Sequence, residues 1–270
     1  MLAIMAYPGG KGGEGVYQTI INQMPPHRVY IEPFLGGGAI MRRKKPATLN
    51  IGIDRDPEAI KAFPEADIAG NDKVRFRFES GDGLAFLRAY NFVGDELVYC
   101  DPPYLFETRS SDRTRYVCEL GDARQHRKLL DLLTALPCMV MISGYWSRLY
   151  ADRLHAWHNI RFAAMTHSGP RTEWLWSNFP EPVELHDYRH VGASFRERER
   201  IKRKKQRWIA RLHRLPILER QALLAAISEA WRISSPQLTA ATAAPSVSTM
   251  RVVMAGTNED SSGSPLPLRQ

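Results

Sequence analysis

Glu96-Leu97-Val98-Tyr99-Cys100-Asp101-Pro102-Pro103-Tyr104 is the stretch on which the reading of this chain turns. Five mostly apolar residues have the make-up of a buried strand, and an acid, two prolines and an aromatic follow at once. Neither proline has an N–H to give to a sheet, so the strand ends at Asp101. Pro102 also biases Asp101 toward extended backbone. The result is a stiff elbow at the carboxyl end of a strand, the edge on which open α/β sheets bind their ligands. It offers a carboxylate, a carbonyl with no competing N–H beside it, and an aromatic face. Those groups suit a planar amine such as a nucleobase amino group. Asp101 and the Pro102 carbonyl can each accept one amino hydrogen while Tyr104 stacks on the ring. Taken alone, the nine residues also fit a plain strand closed by a Pro-Pro turn whose Asp caps the next element.

The flanking sequence alternates between strand and helix. Upstream, Val16 to Met24 reads as a short helix closed by Pro25-Pro26, and Arg28 to Phe34 as a first strand. Leu35-Gly36-Gly37-Gly38-Ala39-Ile40 then turns into a helix ending near Lys45. Its glycines let the backbone approach a ligand and let helix pack on strand, although the G-x-G-x-x-G spacing is absent. Thr48 to Ile53 is a second strand ending in Asp54, about 20 residues past the glycine turn, where an acid can take both hydroxyls of a ribose. Capping of a helix over Pro57–Phe63 is its other reading. Val74 to Glu79 is a third strand running into Gly81-Asp82-Gly83 and a helix over Leu84–Tyr90.

Downstream of the elbow come a helix over Gln125–Leu136, a strand over Cys138–Ile142 and a helix over Ser147–His155. A hairpin of Ile160–Met165 and Thr172–Asn178 follows, around Ser168-Gly169-Pro170. This order predicts an α/β fold, a doubly wound and mostly parallel sheet with an antiparallel end. Four successive sheet ends carry ligand-type residues: Phe34 with its glycines, Asp54, Asp82 and Asp101.

The 270 residues carry a formal net charge of +8 and 44% apolar side chains. That is enough to bury a sizeable core, and no run is long and apolar enough to span a membrane. Met1 to Ala6 lacks the basic start and the length of a signal peptide. Cys100, Cys118 and Cys138 form no close-spaced pair, and His155/His158 and His186/His190 lack a third ligand and read as surface residues. No metal is expected, and a cytoplasmic monomer with reduced thiols is. The excess charge is local. Arg189 to Arg214 holds eleven Lys/Arg and two Glu, a net of +9, so the remainder is near neutral. Such a segment suits a polyanion.

Tyr7-Pro8-Gly9-Gly10-Lys11, Glu32-Pro33-Phe34-Leu35-Gly36-Gly37-Gly38, Gly81-Asp82, Asp101-Pro102-Pro103-Tyr104 and Thr172-Glu173-Trp174-Leu175-Trp176-Ser177-Asn178-Phe179 stand in this order. Together they resemble Dam-type adenine-specific DNA methyltransferases, S-adenosylmethionine enzymes of which many are phage or prophage products. The resemblance covers roughly residues 7 to 180. Tyr7-to-Gly13 alone is a weak motif: no strand precedes it and no Lys-Ser/Thr pair closes it, so it is no phosphate loop. The resemblance implies a Rossmann-like methyltransferase fold and S-adenosylmethionine as cofactor. It places Tyr7, Lys11, Glu32, Phe34, Gly36, Gly38, Asp54 and Asp82 around that cofactor. Asp101, Pro102, Pro103 and Tyr104 would hold a flipped adenine. The partner is then DNA; the same chemistry on RNA, or an idle nucleic-acid-binding protein of this fold, is the alternative.

One departure from that family concerns target reading. Its members usually carry a sizeable insert between the ribose acid and the catalytic strand, and Asp56 to Val74 leaves no room for one. Target reading then comes from elsewhere or is relaxed, and two segments are candidates: the loop Leu105–Asp122 with Arg109, Arg113 and Arg115, and the C-terminal basic segment with Lys202, Arg203, Lys204 and Lys205. Residues 1–185 thus read as the catalytic domain and 186–233 as a basic helical appendage. In the appendage, Ile201, Trp208, Leu212 and Leu215 form a stripe expected to dock on the sheet. Pro216 separates the first helix from a second over Ile217–Ile233. Ser234 to Gln270 lacks periodicity and reads as a disordered tail.

Overall fold

A computed structural model of the protein describes residues 10–63, 73–105, 122–166 and 169–234. The elbow strand β4 (Glu96–Cys100) runs through the middle of a seven-stranded sheet. Its five residues are all buried. A glutamate at the start of such a strand needs partners, and the Glu96 carboxylate accepts the Val93 and Gly94 N–H groups at 2.9 and 2.8 Å. It thereby stitches the preceding turn to the strand.

With β1 (Val29–Glu32), β2 (Leu49–Asp54), β3 (Arg75–Ser80), β5 (Met139–Gly144), β6 (His158–Thr166) and β7 (Gly169–Ser177), the sheet order is β3-β2-β1-β4-β5-β7-β6. The first five strands of that order are parallel. β7 joins β5 antiparallel and pairs with β6 as a hairpin. The doubly wound, mostly parallel sheet with an antiparallel end is therefore the one the sequence predicts. From β1 the chain moves outward to β2 and β3, then returns to the far side of β1 as β4. The carboxyl ends of β1 and β4 thus flank the point where the strand order reverses, which is where open α/β sheets take their ligands.

Strand side chains alternate between two cores. Val98 and Cys100 join Ile31, Ile51, Val140 and the inner faces of α4 (Gly83–Ala89), α5 (Ala123–Ala135) and α6 (Arg148–Arg153). Leu97 and Tyr99 join Tyr30, Met141 and the inner faces of α1 (Val16–Ile21) and α2 (Ala39–Arg43). Both faces of β4 are covered, which explains why it reads as a continuous apolar run. The predicted elements hold, with ends displaced by a few residues. The helix after the glycine turn is shorter than expected, because Lys44 turns to extended backbone ahead of Pro46. The loop with Arg109, Arg113 and Arg115, and also Tyr7, Cys118 and residues 235–270, lie outside the described residues.

The chain divides into two compact units, residues 1–209 and 210–270. In the first, the start of α7 (Phe195–His213) is tied back to the body by the buried Asp187. Its carboxylate accepts the Lys45 N–H at 2.8 Å and pairs with the Arg189 guanidinium at 2.7 Å. The His186 ring stacks on that of His27, with 3.8 Å between centroids, and the Asn22 side chain donates to the His190 carbonyl at 2.7 Å. Of the four histidines expected at the surface, only His155 is exposed. The stripe expected to dock is not buried: no α7 residue is, and Trp208 is 56% exposed. Three apolar side chains of the stripe, in a helix of about five turns, do not offset desolvating the charges between them. In the second unit, α8 (Ile217–Ser234) follows Pro216. Among the described residues no helix is long and apolar enough to cross a membrane.

Burial works against the Asp187 charge, but the bonds from Arg189 and the Lys45 N–H win and hold its pKa down to about 2. A carboxylate with a depressed pKa stabilises the fold above its unfolded value and loses that contribution as pH falls through the folded one. Asp187→Asn should lower the melting temperature at pH 7, and the gap to the parent should close between about pH 4 and pH 2. Thermal melts across that range measure it.

Candidate active site

The elbow delivers Asp101 to the carboxyl end of β4, and three side chains converge on it. Lys11 Nζ lies 2.7 Å from Oδ1 and 2.9 Å from Oδ2, and Ser143 Oγ donates to Oδ1 at 2.9 Å. Ser143 has a single proton and uses it there, so the Tyr99 hydroxyl, 2.9 Å away, must be the donor to Ser143. Burial, then the Asp101 charge, raises the Tyr99 phenol pKa well above its ordinary value and keeps that proton in place. A directed chain from Tyr99 through Ser143 to Asp101 thus orients the carboxylate from inside the sheet.

Lys11 also reaches the Tyr104 hydroxyl and lies 3.4 Å from Glu173 Oε2 on β7. At 4% exposure its ammonium is costly. Burial pulls its pKa down, but Asp101 and Glu173 pull harder and hold it above the ordinary lysine value. Glu173 shows the converse balance: burial raises its pKa against the pull of Lys11. One buried cation therefore serves two carboxylates. Asp101, with 19% of its side chain exposed against 6% for Glu173, is the one that meets solvent.

The elbow is braced from the side of α5. His126, itself buried, approaches the Pro103 carbonyl with Nε2 at 3.1 Å and the Tyr150 hydroxyl with Nδ1 at 2.8 Å. A carbonyl only accepts, so Nε2 carries the proton. With the imidazole neutral, Nδ1 accepts from Tyr150. Tyr104 lies beside Tyr145, centroids 4.4 Å apart at 48°, and the Arg171 guanidinium covers Tyr145 at 4.5 Å.

Across the switch point, Gly36 and Gly38 adopt positive φ of 48° and 56°. A Cβ on Gly38 would stand 2.1 Å from the Phe63 ring, so that position admits glycine alone. Asp54 Oδ2 accepts the Gly36 N–H at 2.7 Å and Oδ1 the Asp56 N–H at 2.9 Å, pinning the glycine turn to the end of β2. Asp56, not Asp54, caps the helix α3 (Pro57–Lys61). Asp82 caps α4 through the Leu84 and Ala85 N–H groups and pairs with Arg55 at the surface. Phe34 packs against the core, and Glu32, 3% exposed, accepts from the Tyr30 hydroxyl at 3.4 Å.

Sequence reasoning singled out Asp101, Lys11 and Tyr104, and the fold brings them into contact. It missed Ser143, His126 and Tyr145, and it quoted Glu173 without a role. Ser143 was legible in part, as a small polar residue just past the predicted strand beside the elbow. His126 had no local signal. Among the described residues no group of three His, Cys, Asp or Glu side chains could hold a metal ion.

No protein-family profile matches the chain, and no curated protein matches it. Solved structures do. A conserved hypothetical protein of Streptococcus pyogenes is 13% identical over 64% of this chain and 100% of its own, with a TM-score of 0.44. The 23S rRNA methyltransferase ErmE is 12% identical over 64% of this chain and 70% of its own, at 0.40. TrmK of M. capricolum, solved with S-adenosyl-homocysteine, is 10% identical over 80% of this chain and 95% of its own, at 0.39. What this site can do follows from its own residues.

Burial, then the Asp101 charge, pushes the Glu32 pKa up to about 8 despite the opposing pull of Lys44. The unfolded chain loses that proton near the ordinary glutamate value while the fold keeps it, so stability falls as pH rises between the two. Each pH unit in that window removes about 1.4 kcal/mol. Glu32→Gln should therefore leave stability nearly unchanged at pH 4 and raise it by a few kcal/mol near pH 8. Urea melts at the two pH values test this.

Proposed function

We propose that the protein transfers a methyl group from S-adenosylmethionine to the 6-amino group of adenine in DNA, residues 1–185 doing the chemistry. The observation that carries this reading is the placement of the Asp101 elbow and the glycine turn on either side of the strand-order reversal between β1 and β4. One half of that crevice presents amine acceptors and an aromatic ring. The other presents glycine backbone and the Asp54 carboxylate.

The donor set on the second half suits a nucleoside. Each Asp54 oxygen spends one acceptor position on a backbone N–H and keeps another for a ribose hydroxyl. Gly36 carries no side chain that would bar a close approach. Bound S-adenosylmethionine supplies an electrophilic methyl on a sulfonium, so neither a metal nor a covalent nucleophile is required.

The protein's own residues prepare the amine. The adenine amino lone pair is delocalised into the ring and is a poor nucleophile. Asp101 Oδ2 and the Pro102 carbonyl, each accepting one amino hydrogen, favour a more pyramidal nitrogen with its lone pair free. Tyr104 holds the ring by stacking. Displacement of the neutral thioether by that lone pair would form the nitrogen–carbon bond at the expense of the carbon–sulfur bond. The amine proton passes to the Asp101 carboxylate. Orientation supplies much of the rate, because a bimolecular displacement becomes an intramolecular one.

Incubation with tritiated S-adenosylmethionine on unmethylated DNA and on RNA, followed by nucleoside analysis, tests the reading; label on N6-methyladenine in RNA alone, or on no nucleoside, defeats it. Asp101→Asn should cut turnover at least about 10²-fold with cofactor affinity retained, and near-parental turnover would remove Asp101 from the chemistry.

Asp54→Ala should instead weaken S-adenosylmethionine binding by roughly 1–3 kcal/mol, since ribose hydroxyls would be buried without their acceptor. Nucleic-acid affinity should hardly move. Calorimetry reads both quantities, and an unchanged cofactor affinity would confine Asp54 to bracing the glycine turn.

A further inference from the structure

The +9 segment is not uniformly basic in three dimensions. At 3.6 residues per turn, Arg196, Arg200, Arg203 and Arg207 of α7 fall within about 60° of arc and rise along about 16 Å of the helix. They line one exposed groove of about 500 Å³ together with Phe195 and Glu199. Lys202 and Lys205 point to the opposite side, where Ile201 and Trp208 also lie, and Lys204 stands to one flank.

The two sides differ in what their charges do. Away from the groove three cations are engaged: Arg198 with Glu14 at 3.8 Å, Lys202 with the groove-lining Glu199 at 3.5 Å, and Lys205 with the Tyr188 carbonyl at 3.1 Å; Lys204 has no ion pair among the described residues. Among the described residues Arg200 is the one groove-side cation with an ion pair, to Glu197 at 3.4 Å, with both side chains well exposed. Among the described residues Arg196, Arg203 and Arg207 have no ion pair. Three guanidinium groups held on one regular helix face, with the one acid of their groove, Glu199, engaged by Lys202, make a poor structural device. They make a good receptor for a row of anions.

We infer that this arginine stripe, and not the Lys202–Lys205 run, is the track for the phosphodiester backbone of duplex DNA, a site that rests on DNA being the substrate. A rigid array rising every turn suits the regular backbone of a duplex, in which each strand presents a phosphate about every 3.4 Å of helix axis. The tether of Asp187 to Lys45 and the Arg198–Glu14 pair fix the start of α7 against the body. The track is therefore held in place before DNA arrives. Its contacts position the duplex without reading bases.

Two full-length variants of equal net charge separate the stripe from mere basicity: Arg196→Gln/Arg203→Gln/Arg207→Gln, and Lys202→Gln/Lys204→Gln/Lys205→Gln. Anisotropy titrations of a labelled duplex over a salt series give the slope of log affinity against log salt. The arginine variant should lose about 2.7 of that slope, at about 0.9 for each phosphate contact, and the lysine variant less than about one contact's worth. Circular dichroism should show both still helical. Equal losses in the two variants, or no loss in the arginine variant, overturn the assignment. So does single-stranded RNA binding more tightly than the duplex with the same arginine dependence. Binding is measured without cofactor, so a stripe that behaves as expected in a protein that transfers no methyl group would sink the catalytic reading alone.

Discussion

A lysine ammonium sealed from water survives only beside carboxylates, and Lys11 with Asp101 and Glu173 is that arrangement here. The pair joins a glycine-rich loop at the start of the chain to the end of the central strand. It holds the elbow's one solvent-reaching carboxylate beside a cation. Deleting one partner of a buried pair typically costs 3–5 kcal/mol, roughly, because a charge is left unpaired. Fold and site are therefore not separable at this point. On the proposed reaction the amine competes with Lys11 for one Asp101 oxygen, and Glu173 is near enough to keep the ammonium compensated.

The strand and helix order was readable because each boundary has a local cause. Pro102 and Pro103 end β4, Gly36 and Gly38 bend the chain at positive φ, and Asp56, Asp82 and Ser147 cap the helices that follow them. The elbow was readable for the same reason. What sequence did not reveal is whatever depends on residues meeting across the fold. Ser143 touches Asp101 only because β5 lies beside β4 in parallel register, and His126 reaches Pro103 only because α5 packs over it. Asp54 and Asp56 are two residues apart, and which of them caps α3 was settled by backbone geometry that residue type does not encode. In α7, amphipathicity marked two unlike faces correctly but did not say whether anything covers the apolar one.

The distribution of charge follows a division of labour. The crevice between β1 and β4 gathers carboxylates around a single lysine. The arginines are kept apart, on a helix whose start is tethered to the body but whose basic face is free. On the proposed function, affinity and chemistry would thus rest on different residues.

The brace on the elbow has a corollary. Pro103 is secured by His126, the neighbouring Leu105 is buried, and Asp122 caps the start of α5 through the Gln125 N–H at 2.7 Å. Contacts to the body thus anchor both ends of the connection between elbow and helix. On the proposed function, these contacts would keep the elbow that holds the amine in shape if the connection changed in length.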